Sequence, residues 1–203
     1  MRGIRCSSLG IVLCCVATPG AGLDLGASVG VGGEWTDNVY LSSSDRRNDW
    51  RQTVEFEVTA SEDEAAYQLG ADYDMAHDRY DRGSFDNQTN YNGGAFLNLS
   101  LLPQRFDWMS EIRSENTLIN SRAPETPDNR DQRNVYSTSP RLTLLALPRD
   151  TVQLAAEASK ITFREADSND SDRFGGNISW RHLLSELTNF IVTAGQENVD
   201  FEL

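Results

Sequence analysis

The chain has 203 residues, of which 38% are hydrophobic, and a formal net charge of −13 at pH 7. This length allows one sizeable domain, and the negative charge excludes nucleic acid as the expected partner because phosphates would be repelled. The cysteines Cys6, Cys14 and Cys15 all lie in the first 22 residues. The rest of the chain therefore has no disulfide framework and no thiol chemistry.

Residues 1–22 have the pattern of a secretory signal peptide. Arg2 and Arg5 give a positive start, Leu9–Ala17 is a short apolar run, and Thr18–Gly22 supplies small residues for cleavage. The apolar run is too short for a membrane-spanning helix. We therefore expect this segment to be removed on export.

Leu23–Trp35 is the first predicted strand of a single domain that covers residues 23–203. Its odd positions are apolar and its even positions are small or polar, which is the period of a strand with one apolar face. The usual globular strand has about 5–6 residues. This longer segment is closer to the roughly 9–11 residues with which a tilted strand crosses a bilayer.

The same alternation recurs along the chain, clearly in seven further segments and weakly in an eighth. The predicted strands are 23–35, 50–60, 67–74, 91–101, 106–113, 135–146, 152–159, 174–180 and 188–199. Pro140 lies inside the sixth segment, where it predicts a bulge or irregular point because proline cannot donate to a ladder.

The predicted connections alternate in length. Short turns fall near residues 62, 104, 149 and 185, and long polar loops fall near residues 42, 85, 125 and 168. Outer-membrane barrels have this asymmetry, with aromatic residues near the strand ends. Aromatic residues lie close to several predicted strand ends in this chain: Trp35, Tyr40, Trp50, Tyr80, Phe106, Trp108, Phe174 and Trp180.

These patterns predict an all-β fold, an antiparallel up-and-down transmembrane β-barrel. Lipid satisfies no free backbone groups, so a sheet in the membrane must close. Bacterial barrels have an even number of strands, and the ninth segment is poorly patterned. We therefore expect a partial, open barrel of 8–10 strands that forms the N-terminal portion of a larger one. A secreted β-sandwich or adhesin module is the alternative, although its strands are shorter.

Val29 and Leu97 are predicted to face lipid, whereas Ser28 and Asn98 face the lumen. A polar lumen holds mixed charges that pair across strands. The charged residues predicted to point inward are Glu55, Glu57, Asp72, Asp74, Asp107, Glu111, Glu157, Arg51, Arg113, Arg141 and Arg181.

No residue pattern predicts catalysis, a metal site or a cofactor. His77 and His182 are far apart in the sequence and have no neighbouring histidine or cysteine. Residues Glu165–Asp172 resemble a calcium-binding run only in composition, because the glycine and final glutamate of the EF-hand spacing are missing. We therefore expect a protein that is not an enzyme, with no catalytic, cofactor-binding or metal-binding residues.

Glu34–Leu41, EWTDNVYL, resembles a run found in outer-membrane β-barrel proteins of the PEP-CTERM/exosortase system, and the strand that follows is similar. The resemblance implies a Gram-negative outer-membrane barrel, with outer-membrane lipid as its environment and polysaccharide or export-system proteins as expected partners. It implies a pore or scaffold in exopolysaccharide export or surface-protein sorting. The alternative is a secreted or surface-exposed binding or adhesive protein that acts through acidic loops. Thr36, Asp37 and Asn38 in this run suit the rim where the first strand leaves the membrane, because aspartate and asparagine tolerate turn conformations and hydrogen-bond their own backbone.

Overall fold

The computed structural model describes residues 6–16, 22–165 and 169–202, without the side chains of 6–16, 145 and 146. Its strands are β1 (Cys6–Val16), β2 (Asp24–Thr36), β3 (Asp49–Glu64), β4 (Tyr67–Tyr80), β5 (Gln88–Leu102), β6 (Phe106–Leu118), β7 (Arg130–Ala146), β8 (Asp150–Phe163), β9 (Ser171–Ser185) and β10 (Thr188–Phe201). Pro127–Asn129 form a single 3₁₀ turn. Among the described residues, no helix is long and apolar enough to span a membrane.

The strands form one sheet in sequence order, from β1 to β10. Successive strands are antiparallel neighbours joined by turns or loops, as in an up-and-down meander. Within the described part of the chain, β1 pairs with β2 and β10 with β9, and the order does not close on itself. The predicted all-β, antiparallel, up-and-down and open sheet is thereby confirmed.

The strands extend further than the sequence pattern suggests. β3 continues through the predicted turn at Ser61–Glu64, and the chain reverses at Ala65 and Ala66 instead. β7 begins at Arg130, five residues before the predicted start. Both extensions consist of polar residues, which pair in a backbone ladder as readily as apolar ones but carry no apolar alternation. β10 is a continuous 14-residue strand despite its weak pattern, because it pairs with β9 along its length, with one register shift between Thr188 and Asn189.

The predicted signal peptide overlaps β1, which pairs with β2 from Cys6↔Thr36 to Val16↔Gly26. Cleavage of this segment stays a prediction. Pro140 lies within the continuous strand β7.

The register of β2 and β3 separates two faces. Trp35 lies opposite Trp50, Val29 opposite Phe56, and Ser28 opposite Glu57. Directly paired residues point to the same side of a sheet, so apolar residues meet apolar ones and polar residues meet polar ones along most of the pair, with Gln52 opposite Gly33 as a polar residue on the apolar face. The Trp50 ring also covers the empty side-chain position of Gly33 on the apolar face. The alternation therefore assigned both faces of β2 correctly.

β8 and β9 show the same separation. Val152 lies opposite Trp180 and Leu154 opposite Ile178, whereas Gln153 lies opposite Ser179. β10 continues the apolar face only at its start, where Val192 pairs with Trp180. Further along β10, this face carries polar residues, which explains the weak sequence pattern.

The chain divides into two compact units. The first comprises Met1–Ser61, Ala71–Gly94 and Ser114–Arg133, and the second comprises Glu62–Gly70, Ala95–Arg113 and Asn134–Leu203. Within the described residues, the buried hydrophobic side chains are Tyr80 and Phe85, both in the first unit. Among the described residues of the second unit there is none, and the apolar side chains of Leu154, Ile178 and Trp180 are exposed.

Candidate functional site

Two loops of the first unit are held by many side-chain hydrogen bonds. They are loop 37–48, between β2 and β3, and loop 81–87, between β4 and β5. Asp49, the first residue of β3, is 1% exposed. Its Oδ1 accepts hydrogen bonds from the backbone N–H groups of Trp50 at 2.7 Å and Arg82 at 2.9 Å, and its Oδ2 accepts one from Ser84 at 3.2 Å. Charged acceptors form the stronger hydrogen bonds. One carboxylate therefore holds loop 81–87 against the start of β3.

Asn38 fixes the first half of the neighbouring loop, residues 37–48. Its Oδ1 accepts from the backbone N–H of Ser42 at 3.1 Å, and its Nδ2 donates to the Ser42 carbonyl at 2.9 Å. Between them, Leu41 adopts a φ of 51°, a conformation that non-glycine residues adopt only when the surroundings impose it. The turn role suggested by the asparagine is thus present in the structure.

An aromatic cluster lies under these loops. The Phe85 ring packs edge-on against Tyr40 and Tyr80, with centroid distances of 5.2 and 5.3 Å. The Tyr40 hydroxyl donates to the Ser84 carbonyl at 3.1 Å. Such edge contacts add to the free energy of burial, so the two loops are joined by apolar as well as polar contacts.

A cavity of about 200 Å³ adjoins this cluster. Its lining combines carboxylates, a guanidinium and apolar side chains: Glu34, Thr36, Asn38, Val39, Leu41, Asp49, Arg51, Tyr80, Phe85, Glu125 and Pro127. Arg51 Nη2 donates to Glu34 Oε2 at 2.6 Å, and its Nε lies 4.0 Å from Asp78 Oδ1. Chemically, this cavity can bind a small polar molecule but holds no nucleophile paired with a base.

The loop before β7 is held by amide side chains. Asn129 Nδ2 donates to the carbonyls of Asn120 and Pro124, each at 2.9 Å. Gln132 Nε2 donates to the Tyr91 carbonyl at 2.8 Å, and Gln132 Oε1 accepts from the Tyr91 N–H at 2.9 Å. The Gln132 side-chain amide therefore bonds both the backbone N–H and the backbone C=O of Tyr91 on β5. We call Asn38, Asp49, Asn129 and Gln132 the polar clamps.

A second cavity, of about 460 Å³, lies between loops 37–48 and 81–87. It is lined by Asp37, Arg46, Arg47, Asn48, Arg82, Gly83 and Ser84. The Arg82 guanidinium donates to the Asn48 side-chain oxygen, and the Arg47 guanidinium lies 5.5 Å from the Tyr40 ring centroid. This is a basic pocket in an acidic chain.

The second unit has a wide polar depression of about 530 Å³ on the face of β7 to β10. It contains paired charges and small residues: Ser139, Arg141, Ala155, Ala156, Glu157, Ser159, Arg173, Gly175, Gly176, Asn177, Gly195, Gln196 and Glu197. Arg173 Nη1 lies 4.0 Å from Glu197 Oε1. The predicted inward residues Arg141 and Glu157 are both in this lining.

The apolar face of the second unit ends in an aromatic group beside the β9–β10 turn. Asp150 Oδ1 accepts from Trp180 Nε1 at 3.0 Å and lies 2.8 Å from His182 Nδ1. The Phe190 ring lies edge-on to Trp180, at a centroid distance of 6.1 Å. His182 therefore lies in a strand-end cluster with Asp150 and Trp180.

The structure brings only some of the predicted inward charges together. Glu57 Oε2 accepts from the Ser28 hydroxyl at 2.9 Å, and Arg113 Nη2 donates to Glu111 Oε1 at 2.7 Å. His77 Nδ1 lies 2.9 Å from Thr89 Oγ1. Within the described ranges, no group of histidine, cysteine and carboxylate residues is arranged to hold a metal ion. Residues 166–168 of the acidic loop lie outside those ranges, so cation binding there stays untested.

Sequence reasoning missed Asp49, Gln132 and the basic pocket. Asp49 was placed at the flank of a predicted strand, and Gln132 was placed in a loop. Their roles depend on partners 33 to 41 residues away in sequence, which local patterns do not show. The chain matches no protein-family model, no curated protein and no solved structure.

Proposed function

We propose that the chain is a β-barrel protein of a Gram-negative outer membrane. The observation that carries this proposal is the apolar strand face without a core to cover it. Phe56, Ile178 and Trp180 are each 40% exposed or more, although they lie in the middle of apolar cross-strand ladders. Extended apolar surface of this kind calls for a covering partner, and lipid covers such a face in a barrel.

The length of the apolar face supports the same proposal. From Leu25 to Trp35, ten residue steps of about 3.3 Å span roughly 33 Å along β2. A tilt of about 40° reduces this to about 25 Å, the height of the apolar band of outer-membrane barrels. The Trp35 and Trp50 pair then lies at one rim of the band, where aromatic girdles occur.

Within that membrane, we propose a non-enzymatic pore or scaffold that serves exopolysaccharide export or surface-protein sorting. Support comes from the resemblance of Glu34–Leu41 to the PEP-CTERM/exosortase barrel proteins and from the polar opposite face. That face carries Glu55, Glu57 and Arg51, which suit a hydrated lumen. Outer-membrane lipid is the proposed environment, and a polysaccharide or export-system protein is the proposed partner.

Four measurements test this function: membrane fractionation, heat-dependent gel migration, bilayer conductance and the effect of deletion. The full chain should be retained in the outer-membrane fraction and migrate differently in gels before and after heating. A pore should conduct in planar lipid bilayers, and deletion should reduce polysaccharide export or surface sorting. A protein that stays monomeric and soluble without detergent would overturn the membrane proposal. A refolded chain with neither conductance nor an export defect would overturn the pore.

The organised loops favour a second candidate, a surface-binding or adhesive protein. The polar clamps hold loops 37–48, 81–87 and 119–129 in defined conformations, as binding loops require. The cavity bounded by Glu34, Arg51 and Glu125 supplies hydrogen-bonding groups for a ligand. Binding of glycans to intact cells that is lost when these loops are deleted, without any change in conductance, would favour this candidate.

A further inference from the structure

The basic pocket between loops 37–48 and 81–87 is rich in arginine, whereas the chain as a whole is acidic. The chain contains 18 lysine and arginine residues against 31 acidic ones, yet Arg46, Arg47 and Arg82 line one cavity with a single carboxylate, Asp37. Arg46 and Arg82 form no ion pair with a carboxylate in the described part of the chain, and Arg47 pairs with the exposed Asp45 at 3.7 Å. The pocket therefore has positive charge that its own residues do not neutralise.

The pocket lies at the strand ends of the sheet, beside a pair of tryptophans. Trp35 and Trp50 are paired on the apolar face, and Asp37 and Asn48 each come two residues beyond them. Gln52 shares the face of Trp50, and its Nε2 donates to Asp81 Oδ1 at 2.8 Å, directly before Arg82. Two of the residues that line the pocket, Asp37 and Asn48, thus follow the tryptophan pair at the end of the face proposed to face lipid.

The pocket is built before any ligand arrives. Asp49 accepts hydrogen bonds from the backbone N–H groups of Arg82 and Ser84, and the Tyr40 hydroxyl holds the Ser84 carbonyl. The Arg82 side chain is oriented by Asn48, and the Arg47 side chain lies over the Tyr40 ring. Binding to groups that are already oriented loses less conformational entropy.

We propose that Arg46, Arg47 and Arg82 bind the phosphate of an anionic lipid headgroup at the membrane surface. Guanidinium groups match phosphate oxygens in planar, two-point hydrogen bonds. Basic pockets at the edge of the lipid region attract anionic headgroups electrostatically. The tryptophan pair places the arginines where phosphates of the adjacent leaflet lie. This inference rests on the proposed membrane location, but not on pore or scaffold activity.

The test compares lipid selectivity in the full chain refolded into vesicles. Brominated phosphatidic acid, a phosphate monoester, and brominated phosphatidylcholine quench the fluorescence of nearby tryptophans, so their ratio of quenching reports relative binding. We expect the native chain to prefer phosphatidic acid by about a hundredfold, since each of the three surface arginines contributes about fivefold. Arg46→Gln and Arg82→Gln should each lower the preference by about fivefold, and the variant with all three arginines replaced should show almost none.

Arg122→Gln is the matched control, because Arg122 is an exposed arginine in another loop of the same unit. It removes the same charge and should leave the preference unchanged. Heat-dependent gel migration of every variant checks that each has folded. A native chain that inserts into phosphatidylcholine but shows no preference would overturn this inference and leave the membrane proposal intact. Equal losses in Arg122→Gln would overturn it too, because they would reflect net charge alone.

Competition with inorganic phosphate shows whether the pocket binds the phosphate of a lipid headgroup or free phosphate from solution. At about 10 mM it should reduce the preference for phosphatidic acid only slightly, since a lipid phosphate is held at the surface at a much higher local concentration. Complete competition by inorganic phosphate would overturn the headgroup assignment and identify a free phosphate site. A chain that does not enter neutral vesicles at all would instead contradict the proposed membrane location.

Discussion

The loops of the first unit and strand β10 of the second unit are stabilised in different ways. The loops bury Asn38, Asp49 and Phe85 and hold them with side-chain hydrogen bonds and ring contacts. Every residue of β10 is exposed, and its described contacts are mainly the backbone ladder with β9. The loops therefore derive their order from the chain itself, whereas the strand faces depend on whatever covers them. The predictions below test this contrast.

The largest effect is expected at Asp49. Asp49→Ala leaves three backbone N–H groups without their charged acceptor, at about 1.5–3 kcal/mol for each bond and with some compensation from water. We expect the free energy of unfolding to fall by about 4 kcal/mol, as measured by urea unfolding in detergent micelles. Asp45→Ala removes an exposed carboxylate from the same loop and should change it by less than about 0.5 kcal/mol. If Asp45→Ala lowered the free energy of unfolding as much as Asp49→Ala, the hydrogen bonds of Asp49 would add nothing to the effect of its negative charge.

The proposed assignment of the apolar face to lipid is tested at Val29 and Ser28. Val29 lies opposite Phe56 on the apolar face, so Val29→Arg should cost about 2–4 kcal/mol near the bilayer midplane. Ser28→Arg places the same side chain opposite Glu57 on the polar face and should cost much less. Reversible unfolding from vesicles measures both. Similar costs on the two faces would contradict the assignment of lipid and lumen.

One glycine in each unit tests how closely its backbone is packed. Gly93 has a φ of 127°, and a Cβ there would collide with the backbone of Asp72 and Tyr73 in the same unit. Gly93→Ala should therefore cost roughly 2–3 kcal/mol through backbone strain and overpacking. A Cβ at Gly176 in the second unit would make only an ordinary contact, 3.5 Å from the Ala155 carbonyl. Thermal unfolding should show little change in the free energy of unfolding for Gly176→Ala. A decrease as large as that for Gly93→Ala would contradict this expectation.

The smallest effect is expected at the β9–β10 turn. Leu187 is 97% exposed, so Leu187→Ser should change the free energy of unfolding by less than about 0.5 kcal/mol. Phe85→Ala, which empties the aromatic cluster of the first unit, serves as the opposite reference and should cost about 3–5 kcal/mol. A substantial loss at Leu187 would mean that this turn is covered by a partner rather than by water.

Part of this architecture could be predicted from the sequence. The period-two alternation placed Val29 and Phe56 on one face and Ser28 and Glu57 on the other, because the side-chain period of a strand is fixed by its backbone geometry. Pattern reasoning was weaker at the strand ends. β7 begins at Arg130 rather than Val135, because polar strand residues leave no apolar alternation to detect.

The candidate sites were less accessible to sequence reasoning. Asn38 was recognisable as a turn residue, because its hydrogen bonds reach only as far as Ser42. Asp49 and the three pocket arginines gave no comparable local signal. Their neighbours come from loop 81–87, and only the folded sheet brings that loop beside loop 37–48.

The sequence pattern alone thus predicted the approximate positions of β2 to β10, the faces of β2 and β3 and the alternation of short turns with long loops, whereas β1 falls in the predicted signal peptide. These features follow from side-chain polarity and backbone geometry within a few residues. Only the tertiary structure decided that Asp49 is buried beneath two loops and that Arg46, Arg47 and Arg82 share one cavity. Those arrangements depend on antiparallel register, which brings residues more than 30 positions apart into contact, and register is a property of the paired strands rather than of any one segment.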